Sequence, residues 1–289
     1  MKISYNPYQI RFTPLDRLGN KAARFGYRYM DLSPREDFVP LYCHPRASRQ
    51  RIARLRRSLD ASGVELTALY GLFKWSSADE HERAGGSRYM RRTIEISAEL
   101  ECPVVSTEFG TSRNTRYVSE NQFWRSMDET LPILERTGVE LRIEPHPDDF
   151  VEDHYHGVDM VRAIDSPYVT YLYCVPHTHY LGSDIAAMIR YAGDTLTHIH
   201  AADTYHPSRY IANPSDTDVR LHQHLDIGQG DVDFDSLFSS LAEIGFDGVI
   251  SSCVTAWTER AEESARLMLQ RISGYATRYG LGIEGGDTG

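Results

Sequence analysis

The sequence IEPH at positions 143–146 opens the stretch that decides the fold, and HQHLDIGQG at positions 222–230 closes it. Between them lie CVPHTH at 174–179 and THIHAAD at 197–203, and ten of the twelve histidines fall within this stretch. Several of these histidines follow short apolar runs that are typical of buried strands, so we expect them where strands end and loops begin. Imidazoles and a carboxylate at neighbouring strand ends are suited to binding a divalent metal or to acid–base chemistry.

The rest of the chain repeats a unit of one strand and one helix. Eight short apolar runs alternate with amphipathic segments, which predict helices that include 87–100, 120–137 and 158–164. This alternation is typical of a parallel sheet covered by helices, and eight such units favour an α/β fold that closes into a (β/α)8 TIM barrel. A doubly wound open sheet is the alternative, but no glycine-rich phosphate motif follows the first run.

A closed barrel would bring distant parts of the sequence together. In such a barrel the carboxyl ends of all strands share one face, and the chemistry takes place there. Glu144, Cys174, His200 and Cys253 fall at the predicted ends of strands five to eight. We therefore expect these four side chains to meet in one mouth.

Length and composition indicate one domain. A chain of 289 residues fits a single barrel, which we assign to residues 1–280 with a loose tail at 281–289. The four cysteines are widely spaced and no signal-like segment is evident, so we expect a reduced, cytoplasmic protein. No apolar run approaches the roughly 20 residues that cross a bilayer. The net charge of −10 argues against nucleic acid as a partner.

Three polar residues are the first candidates for chemistry at this mouth. Glu144 directly follows an apolar run and would point inward, where a charge without a partner is costly and a metal ion would compensate it. His198 and His200 share one side of their strand, and we predict His200 as the metal ligand. His146 is interpreted as the general base or as a further ligand.

Other residues are candidates for substrate contacts. Trp75 is predicted to stack on the apolar face of a sugar ring, although a partly buried loop aromatic is an equal alternative. Asp203 and Arg209 flank the loop after strand seven and are predicted to hydrogen-bond substrate hydroxyls. Glu108 and His177 complete the predicted substrate contacts. His222 is expected to face solvent.

Taken in order, the segments at 143–146, 198–203 and 224–230 resemble the xylose isomerase-like TIM barrel superfamily, in particular the sugar phosphate isomerase/epimerase family. The last segment resembles that family's H-x-x-I-G-x-G motif, and the resemblance covers nearly the whole chain. Within the family the chain is similar to members of inositol catabolism and to the α subunits of bacterial C-glycoside deglycosidases. Because those subunits work with a small β-rich partner, the resemblance implies such a partner for this chain, and we also expect an oligomer.

The resemblance also implies a metal site, but this sequence has different residues at two of its ligand positions. The family's ligands are Glu, Asp, His and Glu on successive later strands, and Glu144 and His200 match the first Glu and the His. Cys174 stands at the Asp position, and the last Glu falls at residues 252–253, which are Ser and Cys. Either the ion is held by a different set, for which we predict Glu144, His200, His224 and Cys174, or the site has lost its metal. Thiolate and imidazole favour zinc, whereas carboxylate and imidazole also suit manganese.

The chemistry implied by the resemblance is α-proton abstraction from a keto-sugar, sugar derivative or cyclitol. The metal held by Glu144 and His200 would polarise the carbonyl and lower the cost of an enolate, while His146 removes the proton. Returning the proton elsewhere gives isomerisation or epimerisation, and expelling a β-substituent cleaves a 3-keto C-glycoside. The missing strand-eight carboxylate favours elimination, or an isomerase with unusual ligands. A barrel that only binds a sugar or cyclitol is one alternative, and a metal-dependent endonuclease is another that the acidic composition disfavours.

Overall fold

Eight parallel strands form a closed barrel in the computed structural model, which describes residues 1–110, 115–182, 184–205 and 222–284. Each strand pairs with the next, and the last pairs with the first through Lys2 and Val249. The strands are β1 Lys2–Tyr5, β2 Tyr29–Leu32, β3 Glu65–Tyr70, β4 Val104–Glu108, β5 Glu140–Glu144, β6 Val169–Cys174, β7 Leu196–Ala201 and β8 Val249–Ser252. The predicted TIM barrel is confirmed, and the open sheet is excluded.

Helices surround the barrel and bury its outer apolar side chains. They are α1 Leu15–Phe25, α2 Arg49–Ser62, α3 Glu80–Glu99, α4 Arg116–Thr137, α5 His154–Ile164, α6 Val175–Tyr180, α7 Ile185–Ala192, α8 Phe234–Glu243 and α9 Ala261–Arg278. The core lies between these helices and the strands and is built mainly from aliphatic and aromatic residues. None of the helices in the described ranges is long and apolar enough to cross a membrane.

Three helices begin earlier than the apolar periodicity predicts. The helix α3 begins at Glu80 because the Asp79 side chain accepts a hydrogen bond from a first-turn backbone N–H, at 2.9 Å. The helix α5 begins at His154, where Asp153 makes the same kind of bond at 2.8 Å. These polar first turns carry no apolar repeat, so only the capping residues mark them. The helix α4 likewise begins at residue 116 rather than 120.

The predicted loose tail at 281–289 is wrong for its first residues. Leu281 is buried, and the Gly282 carbonyl accepts a hydrogen bond from the amino group of Met1 at 2.6 Å. The Glu284 backbone N–H in turn donates to the Met1 carbonyl at 2.9 Å. These bonds attach the start of the tail to Met1, the residue before β1. Residues 285–289 lie outside the described part of the chain.

The contact between α5 and the loop after β5 gives a first prediction. A Cβ on Gly157 would lie 2.6 Å from Cγ of Pro145, a ring atom that has little freedom to move. Gly157→Ala is therefore expected to lower the free energy of unfolding by about 1–3 kcal/mol, as overpacking does. Urea unfolding measures this change. The control is Gly274→Ala in α9, where nothing lies within 4 Å and the better helix former is expected to stabilise the protein.

Candidate active site

Polar side chains from successive strands converge at the carboxyl end of the barrel. The parallel register aligns Glu108 with Glu144, and Cys174 with His200, so that each pair lies side by side on neighbouring strands. A cavity of about 310 Å³ opens above them. Its polar lining includes Tyr70, Glu108, Glu144, His146, His177, His200, His222 and His224. This cavity is the candidate active site.

Glu144 lies buried at the base of the cavity between two partners. One carboxylate oxygen lies 3.1 Å from Nδ1 of His200, and the other accepts a hydrogen bond from the Tyr70 hydroxyl at 2.6 Å. Burial opposes the charge, but His200 and these hydrogen bonds lower the pKa of Glu144 below its usual value. Burial likewise acts against the charge on His200, yet Glu144 raises the pKa of that imidazole. Glu144 therefore carries its negative charge at neutral pH.

Glu144, His200 and Cys174 form a group that fits a metal ion. One ligand atom from each lies within 4.8 Å of the others, and all three residues are buried. In a tetrahedral zinc site such atoms are about 3.4 Å apart. The three side chains would therefore need to move only slightly closer together to bind an ion. Burial and the nearby Glu144 raise the pKa of the Cys174 thiol, so binding an ion there would release a proton.

The four predicted ligands do not form one group. His224 is grouped with Cys174 and His177, whose ligand atoms also lie within 4.8 Å of one another. Cys174 therefore belongs to both groups, whereas His224 belongs only to the second. The expectation that His222 faces solvent is wrong, because its ring packs 4.5 Å from that of His177 and 5.1 Å from that of His146, between centroids.

A second acidic group lies beside the cavity, next to His146. The His146 side chain is 29% exposed, and its Nε2 lies 3.9 Å from a carboxylate oxygen of Glu108. Burial and the charge of Glu144 raise the pKa of Glu108, and one carboxylate oxygen of Glu108 lies 3.0 Å from the Tyr70 hydroxyl oxygen. Burial and Glu108 raise the pKa of Asp149 well above its usual value. Carboxyl groups with raised pKa values suit proton transfer near neutral pH.

Asp31 is a buried carboxylate that the sequence interpretation missed. It lies on β2 beneath His200 and accepts hydrogen bonds from Ser4, at 3.0 Å, and from Thr67 and Ser251. Nε2 of His198 also lies 3.2 Å from its carboxylate. The sequence does indicate this site, because Asp31 is a lone carboxylate in the apolar run YMDL at 29–32 and a buried carboxylate requires partners.

Trp75 does not offer a face to a sugar. Its indole is fully buried, packs against Phe123 and donates a hydrogen bond from Nε1 to the Glu108 carbonyl at 3.1 Å. The prediction of sugar stacking is therefore wrong, and the indole instead supports the end of β4. Its position after the third strand predicted that Trp75 would lie at the barrel mouth. The large apolar surface of the indole instead favours burial in the core.

Asp203 is also not available to a substrate. It is buried, and its carboxylate accepts hydrogen bonds from the backbone N–H groups of Thr204, Gly228 and Val232, at 2.8–3.1 Å. The predicted contact with substrate hydroxyls is therefore wrong, and this carboxylate instead holds the loop that carries His224. The predicted contact of Arg209 lies outside the described residues.

Comparison with known proteins finds similar sequences and similar structures among sugar and cyclitol isomerases and epimerases. An inosose isomerase of Bacillus velezensis is 30% identical over 167 residues, 55% of this chain. The first curated relatives are matched over only 59% and 54% of their own lengths. A D-tagatose 3-epimerase-like protein of known structure superposes with a TM-score of 0.75 at 20% identity, covering 97% of this chain and 98% of its own.

A second solved structure, the IolI protein with a bound zinc atom, has a TM-score of 0.73 at 18% identity and covers 96% of this chain and 99% of its own. The family described as xylose isomerase-like TIM barrel matches residues 20–271, most of the chain. This protein therefore belongs to the xylose isomerase-like TIM barrel family.

Proposed function

We propose that this chain is a metal-dependent isomerase or epimerase of a keto-sugar or keto-cyclitol. The observation that carries the proposal is the group of Glu144, Cys174 and His200, whose ligand atoms lie within 4.8 Å of one another. Glu144 and His200 of this group line the cavity. The names of similar proteins, an inosose isomerase and a D-tagatose 3-epimerase-like protein, support this substrate class. A divalent ion held there, zinc or manganese by its donors, would polarise a carbonyl oxygen of the substrate.

The chain's own residues supply proton transfer next to this site. His146 lines the cavity and takes the proton from the carbon beside the carbonyl, with Glu108 behind it. The raised pKa of Glu108 suits this carboxyl to accept the proton and return it. Because the two groups lie 3.9 Å apart, they address the same face of a substrate. A shared face favours isomerisation, in which the proton returns to the neighbouring carbon.

A second candidate function is β-elimination from a 3-keto C-glycoside, together with a small β-rich partner subunit. The observation that favours it is Cys253, which lines the cavity just after β8 where the family resemblance implies a second carboxylate. Elimination requires one base and a leaving group, so it does not need that carboxylate. Release of an aglycone from a 3-keto C-glycoside would support elimination, whereas a change in the sugar alone would support isomerisation.

His146→Gln tests the proton-transfer step. Turnover is expected to fall about 10³-fold, the typical contribution of a positioned general base. The measurement is incorporation of deuterium from heavy water at the α-carbon of keto-sugars and inososes, with the protein reloaded with zinc or manganese.

The matched control is His81→Gln, an exposed imidazole outside the cavity, which should exchange at the native rate. Unchanged exchange in the His146 variant would remove this residue from the mechanism. Absence of exchange with every metal and substrate tried would contradict the proposed function itself.

A further inference from the structure

A second cavity opens at the same end of the barrel as the active site. Its volume of about 320 Å³ is similar to the 310 Å³ of the active-site cavity. Its walls come from the loop between β1 and α1 and from the loop between β2 and α2. Tyr8, Pro34 and Leu41 line both cavities, so the two adjoin at these three residues. Leu41 is 43% exposed, which places this boundary at the surface of the mouth rather than in the core.

The second cavity has an apolar wall, whereas carboxylates and imidazoles line the active-site cavity. Phe12 is 84% exposed and lies in this wall with Tyr8, Pro34 and Leu41. Exposed apolar side chains that gather around a concave surface indicate a binding site. A ligand that occupies both cavities would therefore have a polar part in the active site and an apolar part beside it.

Arg35 joins the two loops and fixes the shape of the second cavity. Its buried guanidinium donates to the Asp37 carboxylate at 2.6 and 3.1 Å and to the Thr13 carbonyl at 2.9 Å. Thr13 lies in the first loop and Arg35 in the second, so the walls are held together before a ligand binds. The carboxylates of Asp37 and Glu36 also line the cavity, and their charges oppose the binding of a phosphate group.

Arg11 gives the apolar wall a flat, aromatic character. Its guanidinium lies over the rings of Tyr8 and Phe12, at 4.4 and 4.6 Å from their centroids. Its Nη1 also donates to the Tyr8 carbonyl at 3.1 Å, which holds the side chain in place. Guanidinium planes and aromatic rings both stack on other aromatic groups. The cavity therefore suits a planar aromatic group better than an anion.

We propose that the second cavity binds an aromatic group linked to the sugar in the active site, so that the substrate is an aryl glycoside rather than a free sugar. The proposal rests on the proposed function for the placement of the sugar ring beside Glu144 and His200. Phe12 lines the second cavity and not the first, so it determines specificity without contacting the reacting atoms.

Calorimetric titration with phenyl β-D-glucoside and methyl β-D-glucoside tests this subsite without turnover. The two probes carry the same sugar and differ only in the group that would enter the second cavity. The zinc-loaded native protein is expected to bind the phenyl glucoside about 10- to 100-fold more tightly. Phe12→Ala is expected to reduce this ratio about 3- to 10-fold, the usual worth of one aromatic contact. The matched control is Tyr117→Ala, an equally exposed ring outside the described linings of both cavities, which should keep the native ratio.

The outcomes separate this subsite from the proposed function. Failure of the phenyl glucoside to bind, equal affinity for the two glucosides, or a native ratio in the Phe12 variant would overturn the aromatic subsite. Deuterium exchange on free keto-sugars in the same protein would then leave the proposed function intact. A phenyl preference that the Phe12 variant loses, in a protein that exchanges deuterium with no keto-sugar, would support the subsite and overturn the proposed function.

Glucose 6-phosphate is the third probe, because the cavity also contains two guanidinium groups. It is expected to bind no more tightly than glucose. Tighter binding of the phosphate that Arg11→Gln abolishes would show an anion site in this cavity and overturn the aromatic one.

Discussion

Glu144→Gln is expected to reduce turnover about 10³-fold or more in a chain that still folds. The substitution keeps the shape of the side chain and an oxygen that can accept the hydrogen bond from Tyr70, which lies 2.6 Å away in the native chain. It removes the negative charge that faces His200 at 3.1 Å and that would hold the ion. Loss of one preorganised electrostatic contact to a developing oxyanion typically costs 10²–10³-fold, and loss of a metal ligand adds to this.

The same strand provides a matched control for this substitution. Glu140 lies at the opposite end of β5, where it forms an ion pair with Arg142 at 3.0 Å, far from the cavity lining. Glu140→Gln makes the same chemical change on the same strand and should leave turnover at the native value. Deuterium exchange at the substrate α-carbon and zinc content are measured for both variants. Native exchange in the Glu144 variant would show that this carboxylate holds no catalytic ion.

The features predicted correctly from the sequence are those that depend on strand periodicity. A parallel strand fixes which residue ends it, so Glu144 and His200 were expected at one mouth and lie in contact there. The sequence predicted that histidines would gather at the mouth, but not which imidazole would contact which. Those contacts depend on how the loops after the strands pack against one another. His224 packs against His177, and its Nδ1 is held by the Cys253 carbonyl, a bond between residues 29 positions apart.

The predictions that failed concern residues whose partners are distant in sequence. Trp75 and Asp203 have chemistry that suits a sugar, and nothing local shows that their polar atoms are already used. The partner of Trp75 is the Glu108 carbonyl, and those of Asp203 include backbone N–H groups some 25 residues later. Such hydrogen bonds are set by tertiary packing, so residue type and spacing alone do not reveal them.

Asp31→Asn is expected to destabilise the protein by about 3 kcal/mol at neutral pH, because removing one member of a buried charged network leaves its partners unsatisfied. Burial opposes the charge on Asp31, yet His198, His200 and Ser251 lower its pKa far below the usual range. A carboxyl whose pKa is lowered in the folded state contributes stability above its unfolded pKa of about 3.9 and loses it as the pH falls further. The difference between native and variant should therefore shrink below about pH 4.

Urea unfolding of the metal-stripped proteins between pH 3 and pH 7 measures this difference. Asp235→Asn is the control, since that carboxylate lies exposed on α8 and its loss should leave the midpoint nearly unchanged. Asp31 also faces Nε2 of His200 at 4.0 Å, so its loss should weaken zinc binding about 10- to 100-fold, as removal of a residue that orients a ligand does. An unchanged midpoint at pH 7 would mean that Asp31 is protonated in the folded chain. In that case the negative charge needed to orient His200 would have to come from Glu144 alone.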